Sequence, residues 1–284
     1  MPDAIPVPAS KGPHPTDRRH ALLAAVDAAL APRPDVLAVW EGGSVATGRA
    51  DALSDIDLVV LAAEGTAPRV LDAIEAAIAP FGPLTGAYAV PEPAWHGGSQ
   101  RFWQLAQLGP YVMLDVVVID PAAPERFLAP ERHGRAVVRL DRADHTAVPP
   151  FDAGAHAQAM RRAYDDALAR FEPFQSLVDK EIRRHRALDA LGFYQAFTLR
   201  PLVQLLGMRY RPLTWDFGGR YLHDDLPAEA AARLADLHFV ADLADLAAKH
   251  PRAVAWFHDL AATPPPDADA VAALSATARA GDTS

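Results

Sequence analysis

Residues 41–60 read EGGSVATGRADALSDIDLVV. The run DVLAVW ends at residue 40, just ahead of this stretch, and IDLVVLAA starts inside it at Ile56; both have the aliphatic, β-branched character of buried strands. Gly42 and Gly43 let the backbone turn sharply and approach another group closely. Amide N–H groups in such a turn can take phosphate oxygens, together with the Ser44 hydroxyl and a helix start over VATG. A Gly-Gly-Ser turn by itself is usually only a turn.

Asp55 and Asp57 close the stretch. Residues i and i+2 of a strand face the same way, roughly 6.5–7 Å apart. At an effective dielectric near 20, two carboxylates at that separation repel by about 2.4 kcal/mol. Beside a buried strand this is unfavourable unless a cation offsets it. Mg2+ suits such a place, because it takes one or two carboxylates and leaves its other positions to water and substrate phosphates. The plainer alternative is a solvated strand start, with Ser54 and Asp55 in a turn. GSVATGRA also approaches the phosphate-binding loop G-x-x-x-x-G-K-[ST]. Arg49 replaces its lysine and Ala50 its magnesium-binding hydroxyl, so that mechanism is excluded.

The two halves gain meaning together. Gly43-Ser44, a spacer over 45–54, and Asp55-Ile56-Asp57-Leu58 resemble the signature of the DNA polymerase β-like nucleotidyltransferase superfamily. That resemblance implies a third carboxylate on a neighbouring strand. YVMLDVVVID offers Asp115 and Asp120. Asp115 sits inside an apolar run, where a carboxylate is costly unless paired or bound to metal. Asp120 precedes Pro121 and reads as a strand-ending turn residue. Asp115 is therefore the expected third ligand, against the alternative of an outward-facing edge position. The resemblance implies two Mg2+ ions. Asp55 and Asp57 would hold the one that accompanies a nucleoside triphosphate, and all three aspartates would share the other. Gly43 and Ser44 would take phosphate charge as pyrophosphate leaves. Asp115 is also placed to accept a proton from the acceptor hydroxyl, a role that a residue of the helical half could fill instead.

Composition narrows the field. A chain of 284 residues makes one large domain or two modest ones, and 50% hydrophobic residues suffice for a sizeable core. A net charge of -9 argues against a general polyanion binder, so nucleic acid is not an expected partner. Without cysteine there are no disulfides, thiol nucleophiles or cysteine zinc sites. No apolar run is long enough to span a membrane, and MPDAIPVPASKGPHP lacks a signal-peptide core, so the expectation is a soluble cytoplasmic protein.

The pattern of the chain predicts an α+β protein. Residues 1–15 read as a disordered tail. A helix capped at Thr16 or Asp17 carries Leu22, Leu23, Val26 and Leu30 at helical spacing, and Pro32 and Pro34 stop it. LTGAYAV, RFWQLAQL, YVMLDVVVI and AVVRL add strands, and APRVLDAIEAAIAPFG a helix. Residues 16–147 thus form the nucleotidyltransferase-type domain, a mixed sheet with flanking helices. Residues 148–262 read as an all-helical domain interrupted at Pro173, Gly192, Gly207 and RPLTWDFGG, and 263–284 as a flexible tail with no more than one short helix.

In the helical half, Lys180, Arg183, Arg184 and Ala187 recur at three- and four-residue spacing. Such a face could close over a triphosphate, or be a solvated face paired with Asp179 and Glu181. Lys180 stands out, because a compact ammonium suits phosphate and lysine occurs elsewhere only at 11 and 249. The DFG of DFGGRYLHDDLP lacks the other elements of a kinase, and the histidines show no metal-binding spacing. WHGGSQ at 95–100 reads as a loop near the acceptor, and Trp103 and Trp215 as core. This half looks like the C-terminal region of small-molecule nucleotidyltransferases such as aminoglycoside- and lincosamide-modifying enzymes. The resemblance implies a Mg2+-dependent transferase moving AMP from ATP, or another nucleoside monophosphate, to a small-molecule hydroxyl. Transfer to RNA or a protein side chain, or a regulatory nucleotide-binding protein with little turnover, are the alternatives. The acceptor, the preferred base and the oligomeric state have no motif to read.

Overall fold

β-Branched runs fill both faces of a pleated sheet, and the first half of the chain uses them so. The computed structural model describes residues 15–92 and 94–281, and the chain divides after Pro150 into two units. The first contains α1 (Pro15–Leu30), β1 (Val36–Glu41), α2 (Gly43–Ala46), β2 (Ile56–Ala62), α3 (Ala67–Ile78), β3 (Leu84–Ala89), β4 (Ser99–Leu105), β5 (Met113–Ile119), α4 (Pro130–His133) and β6 (Val137–Asp141). The described residues form a six-stranded mixed sheet in the order β3-β4-β5-β2-β1-β6. Only β2 and β5 among its neighbours run parallel.

Alternation along the strands sorts side chains to two faces. Ile56, Leu58 and Val60 of β2 and Leu114, Val116 and Val118 of β5 pack under Leu22 and Val26 of α1 and Val70 and Ile74 of α3. The intervening Val59, Leu61, Val117 and Ile119 join Ala38, Trp40 and Leu128 on the opposite face. Trp103 is core, its indole N–H donating to Glu75 at 3.0 Å. Helix α1 is already formed at Pro15, which puts Thr16 and Asp17 within its first turn rather than at a cap before it. The tail expected over 1–15 otherwise lies outside the described residues.

The second unit is helical: α5 (Ala153–Arg183), α6 (Ala187–Phe193), a π-helical turn (Tyr194–Leu199), α7 (Arg200–Tyr210), α8 (Leu222–Asp225), α9 (Ala228–His238), α10 (Leu243–Ala261) and α11 (Ala268–Gly281). Asp152 caps α5 by accepting from the Ala155 amide at 2.8 Å. Met160, Tyr164, Ala167, Phe171 and Val178 form its buried stripe.

The structure corrects several expected breaks. Pro173, Gly192 and Gly207 all lie inside helices. Burial on both sides of Pro173 carries α5 through it. A Cβ on Gly207 would stand 2.7 Å from the Trp215 carbonyl oxygen, so this glycine serves a close approach and not a break. The chain leaves α5 at Arg184, and His185 takes a φ of 58°. Ala187 therefore opens α6 and does not share a helix with Lys180. Residues 268–281, expected in a loose tail, form α11, whose Val271 is fully buried in the helical core against α5. No helix among the described residues is long and apolar enough to cross a membrane.

Candidate active site

The turn after β1 is tied to β2 from the start. Gly42 donates its amide to the Asp57 carbonyl at 2.9 Å. Gly43 then adopts a φ of +57°, and a Cβ there would lie 1.8 Å from Asp57 Oδ2. Only glycine allows both the left-handed backbone and the carboxylate at that distance. Ser44 Oγ is shielded from solvent and has no hydrogen-bond partner among the described residues. Thr47 Oγ1 donates to the Gly43 carbonyl at 3.1 Å, and the Arg135 amide donates to the Ala46 carbonyl at 2.9 Å. Both hold α2 in place.

Asp57 and Asp115 are register partners across the parallel β2/β5 pair. Their Cα atoms are thus about 4.8 Å apart, and both side chains emerge on the same face. They stand at the strand starts, ahead of buried Val59 and Val117 on that face. Two carboxylates this close repel by about 3 kcal/mol at an effective dielectric near 20. Asp115 Oδ1 accepts from Gln100 Nε2 at 2.7 Å. Asp55 precedes β2, and its Oδ1 accepts the Met113 amide at 2.7 Å, which pins it to the start of β5. The structure thus brings Gly43, Asp57 and Asp115 together with Ser44 alongside, and gives one oxygen of Asp55 a backbone partner. Among the described residues no group of three or more His, Cys, Asp or Glu is arranged to hold a metal ion. Asp120 forms the strand-ending turn, accepting from the Ala122 amide at 2.8 Å. Lys180 is an exposed residue of α5 in the helical unit.

Side chains that the sequence did not flag brace the site from behind. Glu41, 5% exposed, accepts from Arg139 Nη1 at 2.7 Å and Arg19 Nη2 at 3.4 Å. Arg19 also donates to the carbonyls of Ser54 and Asp55, at 3.3 and 2.9 Å. Arg139 reaches Asp27 Oδ1 at 2.8 Å, and that bond holds its guanidinium above the ordinary arginine pKa. A charge ending a buried strand at Glu41 was the available signal. Within the loop, Asp51 Oδ1 accepts from the Leu53 amide and Ser54 Oγ, both at 2.9 Å. The Leu53 bond first, then Ser54, holds its carboxyl below the usual range.

The donor set fits Mg2+. Asp57 and Asp115 supply the one or two carboxylates that Mg2+ takes from a protein, and the Ser44 hydroxyl of the adjoining turn has no hydrogen-bond partner among the described residues.

No protein-family model and no curated protein matches the chain. Among solved structures, it is similar to an aminoglycoside 6-adenyltransferase from Bacillus subtilis, at 12% identity and a TM-score of 0.34, over 92% of this chain and 97% of that one. It is also similar to a spectinomycin adenyltransferase from Enterococcus faecialis with ATP and spectinomycin, at 11% identity and a TM-score of 0.34, over 92% and 99%. Neither likeness, at these identities and this TM-score, bears on what the chain does.

Proposed function

We propose that the protein is a Mg2+-dependent nucleotidyltransferase that moves a nucleoside monophosphate, with ATP the first donor to test, to a hydroxyl of a small molecule. The observation that carries this is the Asp57–Asp115 register pair, with the Gly43 turn held against Asp57. The motif shared with the polymerase β-like superfamily supports it. In the reaction, the acceptor oxygen bonds to the α-phosphorus, and the bond from that phosphorus to the β-phosphate's bridging oxygen breaks. Pyrophosphate leaves, and the hydroxyl proton passes to Asp115. Asp57 and Asp115, with the remaining oxygen of Asp55, would hold Mg2+, and the Ser44 hydroxyl and the Gly43–Ser44 amides would bind phosphate oxygens. When bound, Mg2+ would supply positive charge beside the triphosphate and the reacting oxygens.

The test is pyrophosphate release from ATP and Mg2+ across a panel of aminoglycosides and other polyhydroxylated acceptors. Asp57→Ala should lose activity by about 10²–10³-fold or more. Full activity in that variant, with a productive donor and acceptor, would sink the proposal. The Asp55–Met113 bond favours a second reading, a nucleotide-binding protein with little turnover. Tight ATP binding by calorimetry, with no transfer to any acceptor, would select it.

A further inference from the structure

We propose that His96 and Gln100 are positioning residues that fix the orientation of the Asp115 carboxylate through a one-way hydrogen-bond chain. The importance of Asp115 rests on the function proposed above; the chain itself does not. The Gly98 amide donates to His96 Nδ1 at 3.1 Å. Nδ1 is therefore unprotonated, and the neutral ring carries its proton on Nε2. Nε2 faces Gln100 Oε1 at 3.3 Å, and Gln100 Nε2 donates to Asp115 Oδ1 at 2.7 Å. A backbone N–H can only donate and a carboxylate can only accept, so the two ends set the direction of every link. A flipped Gln100 would turn its oxygen towards the carboxylate and its NH2 towards a ring N–H, losing both bonds.

The surroundings keep the chain in one geometry. His96 is 2% exposed, and its ring lies edge-on to those of Trp95 and Phe127. A Cβ on Gly98 would meet the Val118 carbonyl oxygen at 2.6 Å and His96 Nδ1 at 3.2 Å, so only glycine brings this amide to the ring. Gln100 pairs with Val117 on β5, two residues beyond Asp115 on the same face. One Asp115 oxygen is thus anchored by the Gln100 amide. Partners of this kind tune metal affinity and activity through the ligand they hold.

The test uses the full chain with three readouts. Nitrogen-15 NMR of His96 above neutral pH should show a proton on Nε2 and a bare Nδ1. Mn2+ titration followed by electron paramagnetic resonance should give a dissociation constant about 10-fold higher in Gln100→Met than in wild type. In steady-state kinetics, Gln100→Met should lose about 10–100-fold in kcat, with KM for ATP close to wild type. His96→Phe should behave alike, while His96→Gln, which keeps an acceptor and a donor in the same order, should recover most of the loss. A proton on His96 Nδ1, or unchanged Mn2+ affinity in Gln100→Met, would overturn the proposal. The first two readouts need no turnover. A wild type that transfers nothing yet shows both effects keeps the chain and loses the enzyme, whereas an inactive Asp57→Ala beside a fully active Gln100→Met with unchanged Mn2+ affinity does the reverse.

Discussion

Each unit of the molecule buries a histidine against a glutamine, and the two pairs end differently. In the helical unit, Gln175 Oε1 accepts from Thr198 Oγ1 at 2.7 Å and from His250 Nε2 at 3.0 Å. Its amide nitrogen donates to the Phe171 carbonyl at 2.9 Å and the Phe197 carbonyl at 3.0 Å. Every hydrogen-bonding position of that side chain is filled, and the bonds join α5, the π-helical turn and α10. Gln100 in the sheet unit links His96 to a carboxylate at the mouth of the candidate site. A saturated amide stabilises a fold, because removing it orphans several buried groups at once. An amide whose last bond goes to a carboxylate of the proposed site mainly sets direction. The difference predicts that equivalent substitutions in the two units damage different properties.

Two glycines give the largest contrast. Gly43→Ala forces a side chain into Asp57 Oδ2 at a left-handed φ. If the proposed function holds, activity should fall about a thousandfold, because the carboxylate must move from its place beside Asp115. Gly207→Ala meets the Trp215 backbone instead. It should cost about 1–2 kcal/mol of stability, the clash exceeding the gain in helix propensity, with kcat retained. Activity assays and thermal unfolding on both variants separate the cases, and a Gly43→Ala enzyme with wild-type kcat would break the comparison.

Gln175→Met should come next, as a stability effect. It strands the Thr198 hydroxyl and the His250 ring in the core and removes two bonds to backbone carbonyls. A loss of about 3 kcal/mol, or roughly 10 °C in thermal midpoint, is expected. Gln100→Met strands one buried group, the His96 ring N–H, and should lower that midpoint clearly less. If the two shifts were equal, the sheet pair would be structural as well.

The sequence showed the charged half of this arrangement and hid the neutral half. Asp57 and Asp115 were visible because an ionised group in an aliphatic run demands a reason. The strands around them were visible as β-branched runs. Gln100 and His96 carry no charge signal, and their partnership depends on the β4/β5 register, which places Gln100 opposite Val117. Gly98 read as part of a loop and lies in the bend before β4, but only the folded sheet shows that a Cβ there would collide with β5. Asp55 looked equivalent to Asp57 by its i, i+2 spacing, but its bond to the Met113 amide exists only once β5 lies beside β2. In the helical half, the basic run at 180–187 was a spacing argument that failed where α5 stops. Arg184 there donates to Glu181 at 2.9 Å, the pairing that the plainer reading offered. Helix α11 was hidden because its buried stripe is only Val271 and Ser275 in an alanine-rich segment.

The smallest expected effect lies in the closed pair and depends on pH. Burial pushes the His250 pKa below its ordinary value of 6.5, although Asp179 Oδ1, 3.2 Å from Nδ1, pulls the other way. The folded protein therefore binds fewer protons at this ring than the unfolded chain does. Its contribution to stability is present above about pH 6.5 and is lost as pH falls towards the folded value. Thermal unfolding from pH 8 down to pH 5.5 should show the wild-type midpoint falling more steeply than that of His250→Gln, which can still donate to Gln175 and has no proton to gain. Asp179→Asn removes the opposing charge and should steepen the wild-type fall further. A midpoint that rises on acidification in wild type relative to His250→Gln would mean that the Asp179 carboxylate outweighs burial. The helical pair would then end on a charge, as the sheet pair does on Asp115, and the contrast between the units would narrow to the filled amide of Gln175 alone.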